Sequence, residues 1–481
     1  MQNKSAKLYE QIADDIGDLI EAGTFRPGER IPPVRKMSSQ EKVSVTTVLQ
    51  AYRLLEDHGL IEARPQSGYY VRARLPSVCP EPDMSAPEPD PTEVSMQELT
   101  MMVQKDLFNP KLVPLGVAAP NSKTLPSQKL NGILASLARR KGELGIQYDT
   151  SMGCKELRVQ IAQQMVKAGS RLHPEDILIT SGCMDSINLC LRAVCKRGDT
   201  VAIESPTCYG FLQSMCALGL QALEIPTHPQ EGISLDALGF AIEQNPVKAC
   251  LVVSNFNNPL GSCMPDQKKK RLVEMLAERE IPLIEDDISG ELYFKEPRPF
   301  VCKAYDQHEL VMLCSSFSKT LCPGYRVGWV APGKFKSTIE WLRFTSSLTA
   351  ALFPQLAVAE YLDSGGYQHH MRRVRRTYAL NVSSMIDAVM TYFPEDTRVT
   401  HPKGGFVLWL QLPKSVDSLV LYKQALRAGI TLAPGYLFSP SQRFKNFIRL
   451  NASAWNEEIE RAIIRLGDLI KVIANKGRMG K

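Results

Sequence analysis

The chain has 481 residues, of which 44% are hydrophobic and 22% charged, and its formal net charge is +6. This is a globular composition, and chains beyond about 250–300 residues usually divide into domains. No apolar run approaches the roughly 18 residues of a membrane helix, and the first residues lack the apolar centre of a secretory signal. We therefore expect a cytoplasmic multidomain protein with no membrane partner.

The 12 cysteines show no Cys-x-x-Cys spacing, and most of them lie in apolar runs, as Cys190, Cys195 and Cys250 do. This pattern is typical of small buried thiols in a reducing compartment, rather than of disulfides or zinc ligands. We predict no metal site.

The first 74 residues are predicted to form one domain of helices followed by a hairpin. The helices are indicated by apolar residues at helical spacing, and the strands by short β-rich runs around a turn. The predicted elements are a helix from Leu8 to Gly23, a short helix at 34–39, a helix from Ser44 to Gly59, and two strands around a turn at 65–68. Three helices and a β-hairpin make a winged helix-turn-helix.

In this fold the N-terminal residues of the recognition helix meet base edges in the major groove, and the wing can enter the minor groove. A basic residue at the start of the second helix is placed to meet backbone phosphates. The predicted DNA-binding residues are Arg35, Ser44, Thr46, Thr47, Gln66, Ser67 and Gly68. The alternative is that the two threonines only cap or solvate a surface helix.

The stretch from about Leu8 to Val71 resembles the N-terminal DNA-binding domain of the GntR family. The resemblance rests on the combination of FRPGERIPPVRKMS and VSVTTVLQAYRLLEDHGLIEARPQSGYYV. It implies that the partner of this domain is double-stranded DNA.

Residues 75–98 are predicted to be a linker. They contain six prolines, and the stretch from 75 to 104 has six acidic residues and no Lys or Arg. Proline blocks helix interiors and sheet ladders, so this composition favours an extended, semi-rigid segment.

Residues 99–481 are predicted to form one large α/β domain. Short β-rich runs alternate with helical stretches, which indicates a mostly parallel sheet with helices on both faces. Ligands of such sheets bind at the carboxyl ends of the strands, where polar clusters fall in this chain. The predicted strands are DILIT, TVAIESP, ACLVVS, PLIEDD, LVMLCSS and RVGWVAP.

The cluster after LVMLCSS carries the most specific chemistry. Lys319 lies beside Ser316 and Ser318, and Arg326 follows seven residues later. A lysine beside hydroxyls and a fixed cation is typical of an amine that forms a Schiff base, with the arginine on a phosphate. The TSGCMD segment joins a strand to a helix N-terminus, which also favours an anion.

In their order and spacing these clusters resemble fold-type I pyridoxal-phosphate enzymes, specifically the aminotransferase-like body of the MocR branch of the GntR regulators. The resemblance runs from roughly Val113 to Leu466. It implies that Lys319 holds pyridoxal 5'-phosphate and that Asp286 pairs with its pyridinium nitrogen. Asn258 would bond the ring hydroxyl, and Arg449 would clamp a substrate carboxylate.

The resemblance also implies a phosphate site and a homodimer. The residues that would hold the phosphate are Ser316, Ser318, Arg326 and the backbone amides of Cys183 and Met184. Tyr148 resembles the residue that reaches the phosphate from the other subunit.

Three positions depart from the usual family pattern. Cys208 stands where relatives stack an aromatic ring on the cofactor, Ser289 where many have a tyrosine, and Met184 where glutamine is frequent. These changes put efficient transamination in doubt, while the retained residues favour cofactor and carboxylate binding.

Three functional hypotheses follow. The first is a transcription regulator that senses an amino acid or other small amine through a pyridoxal-phosphate domain. The second is an active aminotransferase with an accessory DNA-binding domain. The third is a DNA-binding protein whose body binds no cofactor.

Overall fold

The computed structural model describes residues 8–21, 24–25, 28–64, 67–71, 80–95, 97–107 and 109–479. The chain divides into two compact units, Met1–Cys79 and Pro80–Lys481. This boundary falls inside the predicted linker at 75–98, and residues 80–95 belong to the larger unit.

The smaller unit has three helices and a two-stranded antiparallel sheet, as the sequence predicts. They are α1 (Leu8–Glu21), α2 (Val34–Gln40), α3 (Val45–Asp57), β1 (Ile61–Arg64) and β2 (Gly68–Val71). The apolar stripes of α1 and α3 face each other, and their core includes Ile16, Ile20, Val48 and Tyr52. The Tyr52 hydroxyl donates to the carbonyl of Pro32 at 2.6 Å, which ties α3 to the start of α2. Gly23 lies outside the described residues.

The strands of the larger unit belong to one large sheet and two small ones. In chain order they are β3 (Thr92–Glu93), β4 (Val113–Pro114), β5 (Leu178–Thr180), β6 (Thr200–Ser205), β7 (Gln221–His228), β8 (Gly232–Ile233), β9 (Val247–Val252), β10 (Leu283–Asp286), β11 (Val311–Ser316), β12 (Gly328–Ala331), β13 (Arg398–Val399), β14 (Val407–Gln411), β15 (Ile430–Thr431), β16 (Ala433–Pro434) and β17 (Phe447–Asn451).

The helices of the larger unit mostly connect these strands. In chain order they are α4 (Gln97–Leu107), α5 (Ser127–Arg140), α6 (Lys155–Lys167), α7 (Cys183–Val194), α8 (Tyr209–Leu218), α9 (Leu235–Gln244), α10 (Asp266–Ala277), α11 (Lys336–Ser347), α12 (Leu352–Asp363), α13 (Gly366–Tyr392), α14 (Ser418–Arg427) and α15 (Glu457–Met479). In the described part of the chain, no helix is long and apolar enough to cross a membrane.

The large sheet has the order β3-β7-β6-β9-β10-β11-β12-β5, with β8 paired to β7. Strands β7, β6, β9, β10 and β11 are parallel, and β12 runs antiparallel to both of its neighbours. Its strands are buried along nearly their whole length, because helices cover both faces. The predicted mostly parallel α/β sheet is confirmed, and the carboxyl ends of its parallel strands meet at one edge.

Residues 398–451 form a second, antiparallel sheet of order β13-β14-β17-β16, here called the C-terminal lobe. In this lobe Trp409 of β14 lies opposite Arg449 of β17. The lobe therefore places Arg449 on a strand next to the edge where the large sheet presents its polar clusters.

Candidate functional site

A cavity of about 210 Å³ lies at the carboxyl ends of the large sheet. Its lining includes ten of the residues that the sequence singles out: Cys183, Met184, Cys208, Asn258, Asp286, Ser289, Ser316, Ser318, Lys319 and Arg326. These residues come from five separate segments of the chain, and the parallel strands bring them together. Their individual roles stay predictions.

Lys319 lies just after β11, and its amine donates a hydrogen bond to the carbonyl oxygen of Ala118. Burial lowers the pKa of Lys319. In the described part of the chain, no carboxylate forms an ion pair with it. An amine held in this way deprotonates more readily and is a better nucleophile toward a carbonyl carbon.

Asp286 and Asp287 have different surroundings although they are adjacent. Asp286 lines the cavity, and its Oδ1 accepts from the backbone N–H of Ile288 at 2.8 Å and from the Cys183 thiol at 3.3 Å. Asp287 turns away into a buried ion pair with Arg298. Burial raises the pKa of Asp286 to about 6. Asp286 is therefore the aspartate that is free to meet a cationic group in the cavity.

An anion cradle lies where β5 passes into α7. Gly182 has φ +119°, and a Cβ atom there would lie 2.3 Å from the guanidinium of Arg326. The first two backbone N–H groups of α7, those of Cys183 and Met184, make no hydrogen bond to described residues. Arg326 is exposed and donates to Ser318 Oγ at 3.5 Å. Free helix amides, two serines and an arginine form the donor set that a phosphate requires.

Arg449 is fully buried on β17 and has no carboxylate partner among the described residues. Its guanidinium donates to Asn258 Oδ1 at 2.9 Å and to the carbonyl of Gly116 at 2.5 Å, while Nε has no partner in the described chain. Phe438 flanks it at 5.1 Å. A buried cation without an anion is costly, so this geometry favours a ligand carboxylate beside Arg449.

The remaining lining of the cavity is largely apolar. Cys208 faces the cavity, whereas Tyr209 packs edge-on against Phe438 at 5.8 Å. The Cys208 sulfur lies 3.6 Å from the side-chain nitrogen of Asn258, and burial raises the pKa of its thiol. The structure thus places a neutral sulfur, not an aromatic ring, at the position where the sequence departs from the family.

Tyr148 does not line the cavity. Its side chain is 84% exposed, and that of neighbouring Ile146 is 87% exposed. An exposed tyrosine beside an exposed isoleucine is compatible with the predicted contact to a second subunit, which stays a prediction.

In the smaller unit, Ser44 is the N-cap of α3. Its Oγ accepts from the backbone N–H of Thr47 at 3.1 Å and lies 3.0 and 2.7 Å from the hydroxyls of Thr46 and Thr47. Capping therefore accounts for Ser44 and partly for Thr47. Thr46 is exposed at the start of α3, and Arg35 is exposed on the first turn of α2. These two remain available to a DNA surface.

The wing places two further basic residues that the sequence analysis missed. Arg30 approaches Gly68, where a Cβ atom would lie 3.0 Å from its guanidinium, and Gly68 has φ +106°. Arg64 stacks on Tyr70 at 4.4 Å. The Ser67 hydroxyl lies 2.6 Å from the Tyr70 hydroxyl. Gln66 lies outside the described residues.

Comparison with known proteins identifies both units. Residues 8–71 match the model of the gntR family of bacterial regulatory proteins, and residues 110–466 match that of class I and II aminotransferases. Two relatives from Escherichia coli K12, named as the uncharacterized HTH-type transcriptional regulators YjiR and YdcR, are each 38% identical to this chain. The alignments cover 96% of this chain and 98% of YjiR, and 97% and 99% for YdcR. The chain belongs to the MocR branch of the GntR regulators.

The larger unit of this MocR-branch protein has the fold of solved aminotransferases. One of them is LysN, an α-aminoadipate aminotransferase from Thermus thermophilus, at 27% identity and a TM-score of 0.71. The match covers 79% of this chain and 99% of LysN, whose structure is a complex with N-(5'-phosphopyridoxyl)-L-leucine. The predicted fold class is therefore confirmed.

Several cavity residues were not predicted from the sequence of this regulator. Ala118 lines the cavity and accepts from Lys319 through its carbonyl group. Gly116, which is outside the lining, accepts from Arg449 in the same way, and no side chain marks either residue in the LGVAAP segment. Phe211 and Phe406 line the cavity, but in the sequence they are indistinguishable from aromatic residues of an ordinary hydrophobic core. Phe256 also lines the cavity and has φ +56°, which is rare for a bulky residue and has no sequence signal.

Proposed function

We propose that this chain is a transcription regulator whose larger unit holds pyridoxal 5'-phosphate on Lys319 and binds an amino acid between Lys319 and Arg449. The observation that carries the proposal is Arg449, a buried guanidinium without a carboxylate partner among the described residues. It does not line the cavity but donates to Asn258, which does, and the same cavity holds the partly buried amine of Lys319. Occupancy of this cavity then changes the affinity of the smaller unit for DNA.

The residues present fit the cofactor. Arg326, Ser316, Ser318 and the free amides at the start of α7 would hold its phosphate, Asp286 its ring nitrogen and Asn258 its ring hydroxyl. When bound, the cofactor supplies an aldehyde carbon for amines and a ring that withdraws electrons.

The chain's own groups would divide the work of recognising the ligand. Lys319 is a partly buried amine whose lowered pKa lets it give up its proton, so it would compete with the ligand amine for the same carbon. Arg449 offers the ligand carboxylate two parallel N–H donors, and Asn258 holds the guanidinium in orientation. An amino acid satisfies both ends of this arrangement, whereas a simple amine satisfies one.

We include a homodimer in the proposal. Tyr148 and Ile146 are exposed on a surface next to the chain segment that Arg343 anchors through the carbonyl of Ser151 at 2.5 Å. Contact with a second copy would remove this apolar surface from water and could bring Tyr148 to the partner's phosphate site.

The altered lining favours a sensor over a fast aminotransferase. Efficient transamination requires tuned interactions at every step, whereas sensing requires binding and one interaction that differs between the two states. Cys208, Ser289 and Met184 all line the cavity at the positions that depart from the family. We propose that turnover, where it occurs, is slow.

One experiment tests the proposal as a whole. DNA sites are first selected from a random-sequence duplex pool with the full chain. The twenty L-amino acids are then added one at a time to cofactor-loaded protein, and both visible absorbance and DNA affinity are followed. We expect at least one amino acid to shift the spectrum and to change DNA affinity several-fold. A spectrum or DNA affinity unaffected by all twenty would refute the proposal.

Removing Arg35 should weaken DNA binding without changing sequence preference. An exposed arginine on a phosphate contributes mainly through counterion release, so Arg35→Ala should lower affinity about equally for all sequences and reduce the slope of log K against log salt by about 1. Salt titration of DNA affinity measures this. Lys167→Ala removes the same charge from the larger unit and should leave the slope unchanged; equal slopes in all three proteins would refute the Arg35 contact.

Cofactor binding should depend on pH through Asp286. Because burial raises the pKa of Asp286 to about 6, this carboxyl is mostly protonated at pH 5 in the free protein. Pairing with a protonated ring nitrogen requires the carboxylate, so cofactor affinity should rise between pH 5 and 7 and level off above. Asp286→Asn should bind more weakly at pH 7, and the wild-type to variant affinity ratio should grow with pH. A ratio independent of pH would contradict this role.

A further inference from the structure

Residues 80–95, here called the strap, lie along the larger unit and contact both the large sheet and the C-terminal lobe. They follow the smaller unit in sequence, with only residues 72–79 between Val71 of β2 and Pro80. A change in how the strap docks therefore has a direct covalent route to the DNA-binding unit.

On the sheet side, the strap is attached beside the cavity. The Ser85 hydroxyl donates to the carbonyl of Ser205 at 2.5 Å and accepts from the backbone N–H of Thr227 at 3.3 Å. Ser205 is the last residue of β6 and precedes Cys208, which lines the cavity, by three residues. Further along, β3 pairs with β7. A shift of the segment after β6 would thus disturb the hydrogen bond between Ser85 and Ser205.

On the lobe side, the strap is attached to the sheet that carries Arg449. Asp83 forms an ion pair with Arg398 of β13, and it exchanges two hydrogen bonds, at 3.1 and 3.3 Å, with the side chain of Gln411 on β14. Strand β14 pairs directly with β17, the strand of Arg449. A movement of Arg449 toward a ligand would therefore shift β14 and disturb the hydrogen bonds between Gln411 and Asp83.

A second set of contacts, made through Arg443, connects the strap to both the lobe and the large sheet. Its guanidinium donates to the carbonyl of Ala86 at 2.9 Å and to Ser441 Oγ at 3.1 Å. The Ser441 hydroxyl donates to Glu224 Oε2 at 2.6 Å, and the other oxygen of Glu224 accepts from Ser205 Oγ at 2.8 Å. Strap, lobe and sheet thus meet in one hydrogen-bonded network.

The ligand and the strap span the same two parts of the molecule. The cavity is lined by sheet residues such as Lys319 and by lobe residues such as Phe406 and Val407. A ligand that engages Lys319 on one side and Arg449 on the other selects one spacing of sheet and lobe. The strap, anchored at Ser85 and Asp83, fits one spacing best. Ligand binding and strap docking both depend on the spacing between sheet and lobe, so the two are thermodynamically coupled. The coupling is reciprocal: each changes the equilibrium of the other by the same factor.

We propose that the strap is the element through which ligand occupancy sets DNA affinity. The inference rests on the proposed function and adds the residues that transmit the signal. The Asp83–Arg398 pair is partly exposed, with 66% and 40% of the two side chains accessible. Exposed pairs are individually weak, so a ligand can shift the balance of strap docking without unfolding the unit.

The test uses the full chain with a double variant, Asp83→Asn with Ser85→Ala. The matched control is Asp90→Asn with Ser95→Ala, which makes the same changes on the strap at exposed positions whose side chains form no hydrogen bond or ion pair with the described residues. Measurements are amino acid affinity from visible absorbance, DNA affinity with and without the amino acid, and hydrogen exchange of the strap amides. The probes are pyridoxal phosphate and the twenty L-amino acids.

Since neither residue touches the cavity, we expect the double variant still to bind the amino acid. Because the coupling is reciprocal, its amino acid affinity should change by no more than the factor by which the amino acid changes strap docking in the wild type. Its ratio of DNA affinities with and without the amino acid should fall to nearly 1, while the control keeps the wild-type ratio. In the wild type, the amino acid should change exchange within 80–95. If the amino acid changes the spectrum and the DNA affinity but not the hydrogen exchange of residues 80–95, the proposed role of the strap is wrong, while the proposed function stands.

A comparison of DNA affinities measured without ligand distinguishes failure of the strap proposal from failure of the proposed function. Without any ligand, the double variant should differ in DNA affinity by about threefold or more from wild type and control. The reason is that its strap no longer docks as it does in the ligand-free wild type. If no amino acid changes the wild-type spectrum, the proposed function fails, and this comparison still decides the strap. Equal DNA affinities for all three proteins without ligand would overturn it.

Discussion

Lys319→Ala is expected to abolish covalent attachment of the cofactor and, with it, the response of DNA binding to amino acids. After pyridoxal phosphate is added and borohydride applied, the wild type should gain the mass of one phosphopyridoxyl group on Lys319, and the variant none. The reason is that Lys319 is the amine inside the cavity, and burial lowers its pKa toward the range where the free amine is accessible.

The control for this variant is Lys423→Ala, which removes an exposed lysine on α14 and should behave as wild type in mass and spectrum. DNA affinity without ligand should persist in both variants, because the predicted DNA-binding residues belong to the other unit. An amino acid response in Lys319→Ala equal to that of wild type would exclude exchange at Lys319 as the signal. Rapid multiple turnover with a 2-oxo acid in the wild type would instead favour the aminotransferase hypothesis.

The arrangement of elements was largely readable from the sequence because hydrophobic periodicity and strand-end polarity are local signals. The runs containing Leu178, Val201 and Val311 are strands where predicted, and the hairpin of the smaller unit pairs Ile61 with Val71. Strand order was not readable, since β12 enters between β11 and β5 as an antiparallel strand. Strand β7 was missed altogether, although it runs through eight residues beside β6.

The predicted linker illustrates a different limit. Proline and acid content predicts an extended segment, and the structure has no helix or strand at 80–91. Composition could not reveal that Ser85 and Asp83 find partners in residues more than 100 positions away in sequence. Such contacts depend on the tertiary fold, so a chain that lacks secondary structure can still be docked along its length.

The candidate site was predictable where the chemistry lies in side chains. Lys319, Asp286 and Asn258 stand out by type and position, and the structure gathers them around one cavity. The carbonyl of Ala118, which accepts from Lys319, has no signature, because every residue has a carbonyl group. The same holds for the anion cradle, where Gly182 matters through its missing Cβ.

Arg449→Gln is expected to raise the dissociation constant of an amino acid ligand by about 30-fold or more. Truncating one partner of a buried charge pair typically costs about 2–5 kcal/mol, and each 1.4 kcal/mol is a factor of ten. Glutamine keeps a donor for Asn258 but loses the charge and the paired N–H geometry that a carboxylate requires. Arg449→Lys should lose much of the affinity as well, because an ammonium group cannot form the parallel pair.

The decisive comparison uses an amino acid and the amine that lacks its carboxylate. In the wild type the amino acid should bind far more tightly than the amine, and in Arg449→Gln the two should bind about equally, since the amine never used Arg449. Arg461→Gln removes an exposed guanidinium on α15 and should keep the wild-type preference. If Arg449→Gln retained that preference, the carboxylate would have to be recognised elsewhere. Arg449 would then be a buried cation held only by Asn258 and Gly116, at a cost that the rest of the fold would have to offset.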